Sequence, residues 1–266
     1  FEITTLRKDI STDGRHAIVE FTNQWNEDAL RRDFTINSIY SDKEGNIFDP
    51  FNGKKDLEKG YVNFIGNGDK RIKEDYLRIL RYLRFFICYS KQKHNPETLK
   101  IIKKNIDGIS QLSKERLLDE LKKIIKSNCF EKLSKDQLSL NLISTIFPEL
   151  KNLSILLKLK TENKILLKEK DFIFLLSLMI IDNTDNTDYF LYKYNISKKD
   201  ERRLKVIDSF YKDNINKNSF SENNINKIFY YFGNQAVDDI LAFGIIKYKR
   251  FDENLKRLRN FFKNKT

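Results

Sequence analysis

The 266-residue chain contains few of the residues that build disulfide, metal and membrane-spanning structures. Its two cysteines, Cys88 and Cys129, lie far apart in segments of apolar periodicity, so we expect two buried, unpaired thiols in a reducing compartment, the cytoplasm. Together with only two histidines, His16 and His94, they supply too few soft ligands for a zinc site. The longest apolar stretch, residues 172–181, is about half as long as a membrane span, so it predicts a buried helix and no membrane partner.

Glycine is also scarce, and its distribution divides the chain. Six of the nine glycines lie in the first 68 residues, where strand-like alternation occurs at 2–7, 17–21, 46–49 and 61–65. In this part Asn26 or Asp28 is a candidate cap for a short helix that begins near Glu27. From residue 70 onward the pattern is helical, and we predict helices over 114–126, 135–146, 150–158, 163–181, 187–194, 198–212, 221–231, 235–247 and 251–263.

Acidic residues are outnumbered, since 50 Lys and Arg stand against 38 Asp and Glu and give a net charge of +12. A chain this basic is expected to bind a polyanion. RNA, DNA and an acidic membrane surface are all compatible with the charge alone.

One charged run stands out within a predicted helix over residues 72–89. Its charged residues recur every three positions and therefore spiral over the face opposite the apolar stripe: Asp75, Arg78, Arg81 and Arg84. An ordinary amphipathic helix with a solvated face and a Glu74–Arg78 pair is the alternative. Against that alternative, three arginines within seven residues repel one another unless an anion is near, and Leu77 lies among them.

A carboxylate beside a guanidinium is complementary to two of the four bases. Cytosine and adenine each present an amino donor next to a ring acceptor, whereas guanine and uracil present the reverse order. A site of this kind rejects the wrong base because its own polar groups are left unpaired. Such a face can therefore select CTP and ATP over GTP and UTP.

A second run, Arg31-Arg32-Asp33-Phe34-Thr35-Ile36-Asn37-Ser38, precedes Glu74-Asp75-Tyr76-Leu77-Arg78-Ile79-Leu80-Arg81 by about forty residues. Together the two runs resemble the class II tRNA nucleotidyltransferases, the family that adds the 3'-terminal CCA to tRNA and includes the bacterial poly(A) polymerases. The resemblance is close over residues 1 to about 125 and faint beyond.

This resemblance implies roles for six residues. Asp75 and Arg78 would select the base, Arg81 and Arg84 would hold the triphosphate, and Arg32 would bind the incoming nucleotide. Asp33 would orient Arg32 or bond a ribose hydroxyl. A flexible loop that helps to switch from CTP to ATP would contain Asp9, Asp13, Gly14 and Arg15.

The family's metal-binding motifs do not occur in this sequence. There is no Gly-Gly phosphate turn and no Asp-x-Asp, the carboxylate pair that holds Mg²⁺. Because the chain opens on Phe1 within a strand-like run, we expect these carboxylates to lie N-terminal of Phe1. On this interpretation the fragment contains no catalytic residue and no metal ligand, and is inactive alone.

The resemblance implies an α+β remnant of a polymerase-β-like nucleotidyltransferase head over residues 1–68. An all-α neck over 69–128 and an all-α, tRNA-binding body and tail over 129–266 would follow. The predicted function is addition of CCA to the tRNA 3' end from CTP and ATP with Mg²⁺. Alternatives are a CC-adding, A-adding or poly(A) polymerase relative, or a non-catalytic RNA-binding protein of the same fold.

Overall fold

The computed structural model describes residues 5–12, 17–159, 161–212, 215–248 and 252–263. They divide into two compact units, Phe1–Leu133 and Ser134–Thr266. The division falls close to the predicted start of the body at residue 129. The predicted boundary between head and neck near residue 68 lies inside the first unit and stays a prediction.

Two small antiparallel hairpins form the strands of the first unit. The first pairs β1 (Arg7–Thr12) with β2 (Ala17–Phe21), and the second pairs β3 (Tyr40–Ser41) with β4 (Ile47–Phe48). The strand predicted over 61–65 is wrong: this segment makes a single bridge, between Phe34 and Phe64, because its pairing is confined to the backbone hydrogen bonds from Thr35 to Asn63 and from Ile65 to Asp33.

The helices of the first unit are α1 (Trp25–Leu30), α2 (Gly53–Lys59), α3 (Gly68–Glu74), α4 (Leu77–Tyr89), α5 (Pro96–Asn105) and α6 (Lys114–Ile125). Side chains of Asn67, Asn95 and Ser113 cap α3, α5 and α6 by accepting hydrogen bonds from backbone N–H groups of the first turn. The caps predicted for α1 are wrong, because α1 begins after Gln24 and Asp28 lies inside the helix.

The predicted continuous helix over residues 72–89 is also wrong. Asp75 is extended, with φ −157° and ψ 105°, and separates α3 from α4. Its side-chain Oδ1 accepts a hydrogen bond from the backbone N–H of Leu77 at 3.1 Å, which satisfies a donor at the start of α4. The sequence pattern passes over this corner because apolar residues continue at helical spacing on both sides of it.

An aromatic core joins the segment 31–38 to α4. Phe34 is fully buried, and its ring centroid lies 4.9 Å from that of Phe64 and 5.2 Å from that of Phe85. On the same helix, the Tyr82 hydroxyl lies 3.0 Å from Nδ1 of His94. Because α4 is anchored on Phe34, the charged residues on either side of Phe34 and those of α4 are held close together.

The second unit is helical throughout its described part. Its helices are α7 (Gln137–Ile146), α8 (Leu153–Leu157), α9 (Thr161–Lys168), α10 (Phe172–Ile180), α11 (Asn186–Tyr194), α12 (Lys198–Lys212), α13 (Glu222–Lys247) and α14 (Asp252–Lys263). The predicted helix 163–181 is two helices, since Asp171 caps α10. The predicted helices 221–231 and 235–247 are confirmed as the two helical segments of α13, which are separated by the non-helical backbone of Gly233.

The apolar stretch of α10 is buried within the second unit, as predicted. Among the described residues no helix is both long and apolar enough to cross a membrane. In the first unit, Cys88 and Cys129 are free thiols, half-buried rather than buried as predicted, because Cys88 lies in the last turn of α4 and Cys129 lies in a turn after α6.

Candidate nucleotide-binding site

The site begins with Asp28, a carboxylate inside α1 that is only 1% exposed. Its Oδ1 accepts hydrogen bonds from the Arg31 guanidinium at 2.6 and 2.9 Å and from the backbone N–H of Arg7 at 3.2 Å. Its Oδ2 accepts from Arg32 Nε at 3.0 Å and from the Tyr40 hydroxyl at 2.8 Å. One buried carboxylate therefore fixes both arginines of the Arg-Arg-Asp run.

Ionisation of Asp28 is favoured by these contacts. Burial opposes the charged form, but the hydrogen bonds from Tyr40, Arg31, Arg7 and Arg32 outweigh it and hold the pKa of Asp28 at about 2. Burial and the bond to this carboxylate raise the pKa of Tyr40 to about 12, so Tyr40 stays a neutral donor. The Arg32 guanidinium also lies 5.1 Å above the Tyr40 ring, which adds a cation–π contact.

Asp33, the acid of the same run, is 4% exposed and joins the run to α4. Its Oδ2 accepts a short hydrogen bond from Arg81 Nε, and its Oδ1 accepts from the Asn37 amide at 3.0 Å. Burial disfavours the charged form, yet the bond and charge of Arg81 hold the pKa of Asp33 below its ordinary value. In this structure Asp33 therefore orients Arg81 rather than Arg32, whose fork is held by Asp28.

Arg71 of α3 joins the two runs through the backbone. Its Nη2 donates to the carbonyl oxygens of Leu30 and Arg32, and its Nη1 donates to Glu74 Oε2 at 2.8 Å. Its Nε is buried without a hydrogen-bond partner. Burial and the nearby positive charge of Arg78 lower the pKa of Arg71.

The corner between α3 and α4 presents the two residues predicted to select the base. Asp75 Oδ2 accepts a hydrogen bond from Arg116 Nη2 of α6 at 2.7 Å. Arg78 Nη1 donates to Glu74 Oε2 and to the Arg71 carbonyl, both at 2.7 Å. Asp75 and Arg78 thus share one corner, but each is held by a different partner, and the Glu74–Arg78 pair of the alternative interpretation is present.

Nearly two turns beyond Arg78 on α4, Arg84 is held by a carboxylate of α6. Its Nε donates to Glu120 Oε1, and the Glu120 side chain is only 1% exposed. The Arg84 guanidinium also lies 4.6 Å above the Phe85 ring. The bonds that the structure describes for Arg81 and Arg84 each use Nε, one of the five N–H donors that a guanidinium carries.

These contacts form one cluster in which the arginines outnumber the acids. The cluster contains seven arginines (Arg31, Arg32, Arg71, Arg78, Arg81, Arg84 and Arg116) and five acids (Asp28, Asp33, Glu74, Asp75 and Glu120). Three of those carboxylates are almost fully buried, whereas guanidiniums such as Arg32 keep up to 30% of their surface exposed. A preorganised cationic surface of this kind suits a triphosphate.

The remaining predicted residues are described only in part. Asp13, Gly14 and Arg15 of the predicted flexible loop lie outside the described residues, as does His16. Asp9 lies on β1, where the register with β2 shifts between Asp9 and Ser11. In the ranges that the structure describes, no group of three or more His, Cys, Asp or Glu side chains is placed to hold a metal ion.

Sequence reasoning missed Asp28, Arg71, Arg116 and Glu120. Each makes at least one contact with a distant part of the sequence: for example, Arg116 lies 41 positions from Asp75, and Glu120 lies 36 positions from Arg84. A signal was available for the last pair of residues, because Arg116 and Glu120 are charged residues four positions apart on one helix. Their partners on α4 could not be read from that spacing.

The cluster can be compared with known proteins. Residues 1–63 match the poly A polymerase head domain, and residues 94–153 match the probable RNA and SrmB-binding site of polymerase A. The second match crosses the division between the two compact units.

Two curated relatives are similar in sequence to about half of the chain. It is 54% identical over 130 residues to the mitochondrial CCA tRNA nucleotidyltransferase 1 of Homo sapiens, which is 48% of this chain and 30% of that protein. It is 39% identical over 151 residues to the CCA-adding enzyme of Staphylococcus haemolyticus, which is 55% of this chain and 36% of that protein. The chain thus matches about a third of the length of these relatives.

Solved structures extend the likeness in fold to nearly the whole chain. The CCA-adding enzyme of Bacillus stearothermophilus in complex with CTP matches with a TM-score of 0.66 and 21% identity, covering 96% of this chain and 62% of that chain. The Thermotoga maritima CCA-adding enzyme complexed with tRNA matches with a TM-score of 0.61 and 18% identity, covering 90% and 61%. At these identities the likeness shows the fold.

The fold is that of the CCA-adding enzymes of known structure, with a small part of α+β type followed by helical domains. In sequence, about half of the chain is similar to CCA tRNA nucleotidyltransferases, and two separate segments match models of polymerase A domains.

Proposed function

We propose that the protein to which this chain belongs adds the 3'-terminal CCA to tRNA from CTP and ATP. The observation that carries the proposal is the corner between α3 and α4. There Asp75 is held by Arg116, and Arg78, three residues further on, is held by Glu74. Relatives that are 54% and 39% identical to this chain, over 130 and 151 residues, carry the names of a CCA tRNA nucleotidyltransferase and a CCA-adding enzyme.

Base selection follows from the donors and acceptors at the corner. Each carboxylate oxygen has two lone pairs, so Asp75 can accept an amino N–H of the base while it keeps its bonds to Arg116 and Leu77. Arg78 can donate to the ring acceptor, N3 of cytosine or N1 of adenine. UTP and GTP would leave these groups unpaired, which is the strong form of discrimination.

The triphosphate is assigned to the arginines beside this corner. Arg81 and Arg84 follow Arg78 on α4, and the buried carboxylates of Asp33 and Glu120 fix their Nε edges. Arg32, fixed by Asp28 and above the Tyr40 ring, would bind the ribose and phosphates. Because these guanidiniums are already oriented, little ordering cost remains when the nucleotide binds.

Three further assignments complete the proposal. Mg²⁺ would accompany the triphosphate, since magnesium binds proteins largely through substrate phosphates and a few carboxylates. The basic helical region would bind tRNA near its 3' end through the phosphate backbone. The free thiols fit a reducing compartment such as the cytoplasm. A switching role for the loop that includes Asp9, Asp13, Gly14 and Arg15 stays a prediction.

Nucleotide binding by the chain itself tests the proposal. Isothermal titration of residues 1–266 with each of the four nucleoside triphosphates should give CTP and ATP affinities at least about tenfold above those of UTP and GTP, the value of a bidentate base contact. Equal affinity for all four would contradict base selection. Binding of tRNA without any nucleotide binding would instead favour a non-catalytic RNA-binding protein of the same fold.

A further inference from the structure

Three consecutive aromatic side chains of α13 lie on the surface of the second unit. Tyr230, Tyr231 and Phe232 are 82%, 71% and 53% exposed. Every residue from 230 to 235 is exposed, whereas a helix that packs along one side buries a residue in nearly every turn. This part of α13 therefore stands clear of the unit's core and presents three rings to solvent.

The kink at Gly233 accounts for this geometry. Its φ of 78° and ψ of 179° belong to a region that glycine alone adopts without strain. Beyond the kink, Ala236 and Val237 are buried and α13 rejoins the core. The aromatic residues thus lie at the end of the helical segment that precedes the bend.

A groove between α12 and α13 adjoins the aromatic residues. Its volume is about 750 Å³, within the roughly 300–1,000 Å³ of small-ligand sites. Phe210, Ile228 and Phe232 contribute to its apolar lining. Because Phe232 belongs both to the groove and to the exposed aromatic residues, the groove and the rings form one continuous surface.

The edge of the groove on α12 is basic. Lys198, Arg202 and Lys205 line it together with one acid, Glu201, which pairs with Lys205 at 2.8 Å. The bond and charge of Lys205 lower the pKa of Glu201, so this acid offsets one of the three cations. A net positive charge remains beside the apolar lining. It favours an anionic partner that also presents flat apolar faces.

We propose that this surface, the α12–α13 aromatic surface, binds unpaired nucleotides of an RNA partner. Exposed nucleobases would stack on Tyr230, Tyr231 and Phe232, and the adjoining phosphates would contact Lys198 and Arg202. Stacking on aromatic rings beside a basic groove is how proteins bind single-stranded nucleic acid. The choice of RNA among polyanions rests on the function proposed above, and the surface lies in a different compact unit from the arginine cluster.

The chemistry also separates unpaired from paired RNA. In a continuous duplex the base faces are stacked on one another, so the rings of this surface have nothing to stack against. A loop or single-stranded end exposes those faces. This surface would therefore bind an RNA loop or strand end, and base-paired stems would contact lysines elsewhere on the protein.

The test measures anisotropy of a fluorescent RNA hairpin with a loop of unpaired bases and of a blunt duplex of the same stem. In the 266-residue chain, Tyr230→Ser/Tyr231→Ser should weaken binding of the hairpin about tenfold or more, with much less effect on the duplex. Tyr230→Phe/Tyr231→Phe keeps both rings and should bind as the parent does. Tyr192→Ser, which removes an 87% exposed tyrosine from the same unit, is the matched control and should also leave binding unchanged.

Several results would overturn the proposal. Unchanged hairpin binding, or equal weakening for hairpin and duplex, would show that the rings do not stack on bases. A changed sedimentation coefficient with unchanged RNA binding would show a surface for self-association instead. CTP titration of the same variants separates this inference from the proposed function: they should bind CTP as the parent does, and a parent that binds no CTP still gives a decisive hairpin result.

Discussion

Arg116 Nη2 donates a 2.7 Å hydrogen bond to Asp75 Oδ2, across 41 residues of sequence and between the start of α6 and the end of α3. The Asp75 carboxylate belongs to the one extended residue between α3 and α4, so no helical turn of its own fixes the position of this side chain. The Arg116 guanidinium therefore fixes the position of the acid that we propose to select the base. Because this contact joins distant parts of the sequence, the site forms only when the first unit is folded.

Asp75→Ala should abolish base preference. Removing the acceptor leaves nothing to pair with the amino group of cytosine or adenine, at a cost of roughly 1–3 kcal/mol, about ten- to a hundredfold in CTP affinity. Titration of each of the four nucleoside triphosphates into the parent and the variant measures these affinities and the preference among the bases. CTP binding at parental affinity and selectivity would refute the template role of Asp75.

Arg116→Ala should weaken CTP binding without removing any group that contacts the base. Loss of a charged hydrogen bond costs about 1.5–3 kcal/mol, and here it frees Asp75 to adopt other orientations. Arg116→Lys should recover part of the affinity. In a double-mutant cycle with Asp75→Ala, the two losses should not add, because each removes the same contact. Additive losses would mean that Arg116 acts elsewhere.

Asp28→Asn should destabilise the first unit by roughly 2 kcal/mol at neutral pH, since Arg31 and Arg32 lose their buried counter-charge. The pKa of Asp28 falls from its ordinary 3.8 to about 2 on folding. This stabilisation is therefore complete above about pH 5 and is lost as pH falls from about 4 towards 2. Urea denaturation over that range should show a shallower pH dependence for Asp28→Asn, with Glu44→Gln as an exposed control. If the parent and Asp28→Asn showed the same pH dependence of stability, this would count against the role of Asp28.

The sequence predicted much of the fold through local rules. The cap at Ser113 and the apolar stripe that follows it led directly to α6. The corner at Asp75 was missed because helical spacing continues on both sides of one extended residue. The predicted helices 221–231 and 235–247 agree with the structure, because the non-helical backbone of Gly233 separates two helical segments of α13.

The candidate site was likewise predictable only where local motifs define it. Arg32, Asp33, Asp75, Arg78, Arg81 and Arg84 were chosen from motifs, and the structure brings them into one cluster. Their partners were not foreseen, because Arg81 with Asp33 and Arg84 with Glu120 meet only after α4 packs on distant segments. Long-range pairing depends on tertiary contacts that residue spacing does not encode.

Gly108→Ala should disturb the corner between α3 and α4 by displacing a neighbouring aromatic ring. The added Cβ would lie 2.1 Å from Cε1 of Tyr76, the residue that follows Asp75, so the ring has to move. The backbone of Gly108 lies outside the left-handed region, and the cost therefore comes from the contact, about 1–3 kcal/mol for overpacking. We expect lower stability in urea denaturation and weaker CTP binding.

The double variant Tyr76→Ala/Gly108→Ala isolates that contact. With the ring removed, the new methyl group has space, so the double variant should be no less stable than Tyr76→Ala alone. Urea denaturation of the parent, both single variants and the double variant gives the coupling energy. If the losses of the two single variants simply add, Gly108 does not act through Tyr76, and the close approach of its backbone to that ring does not position the corner.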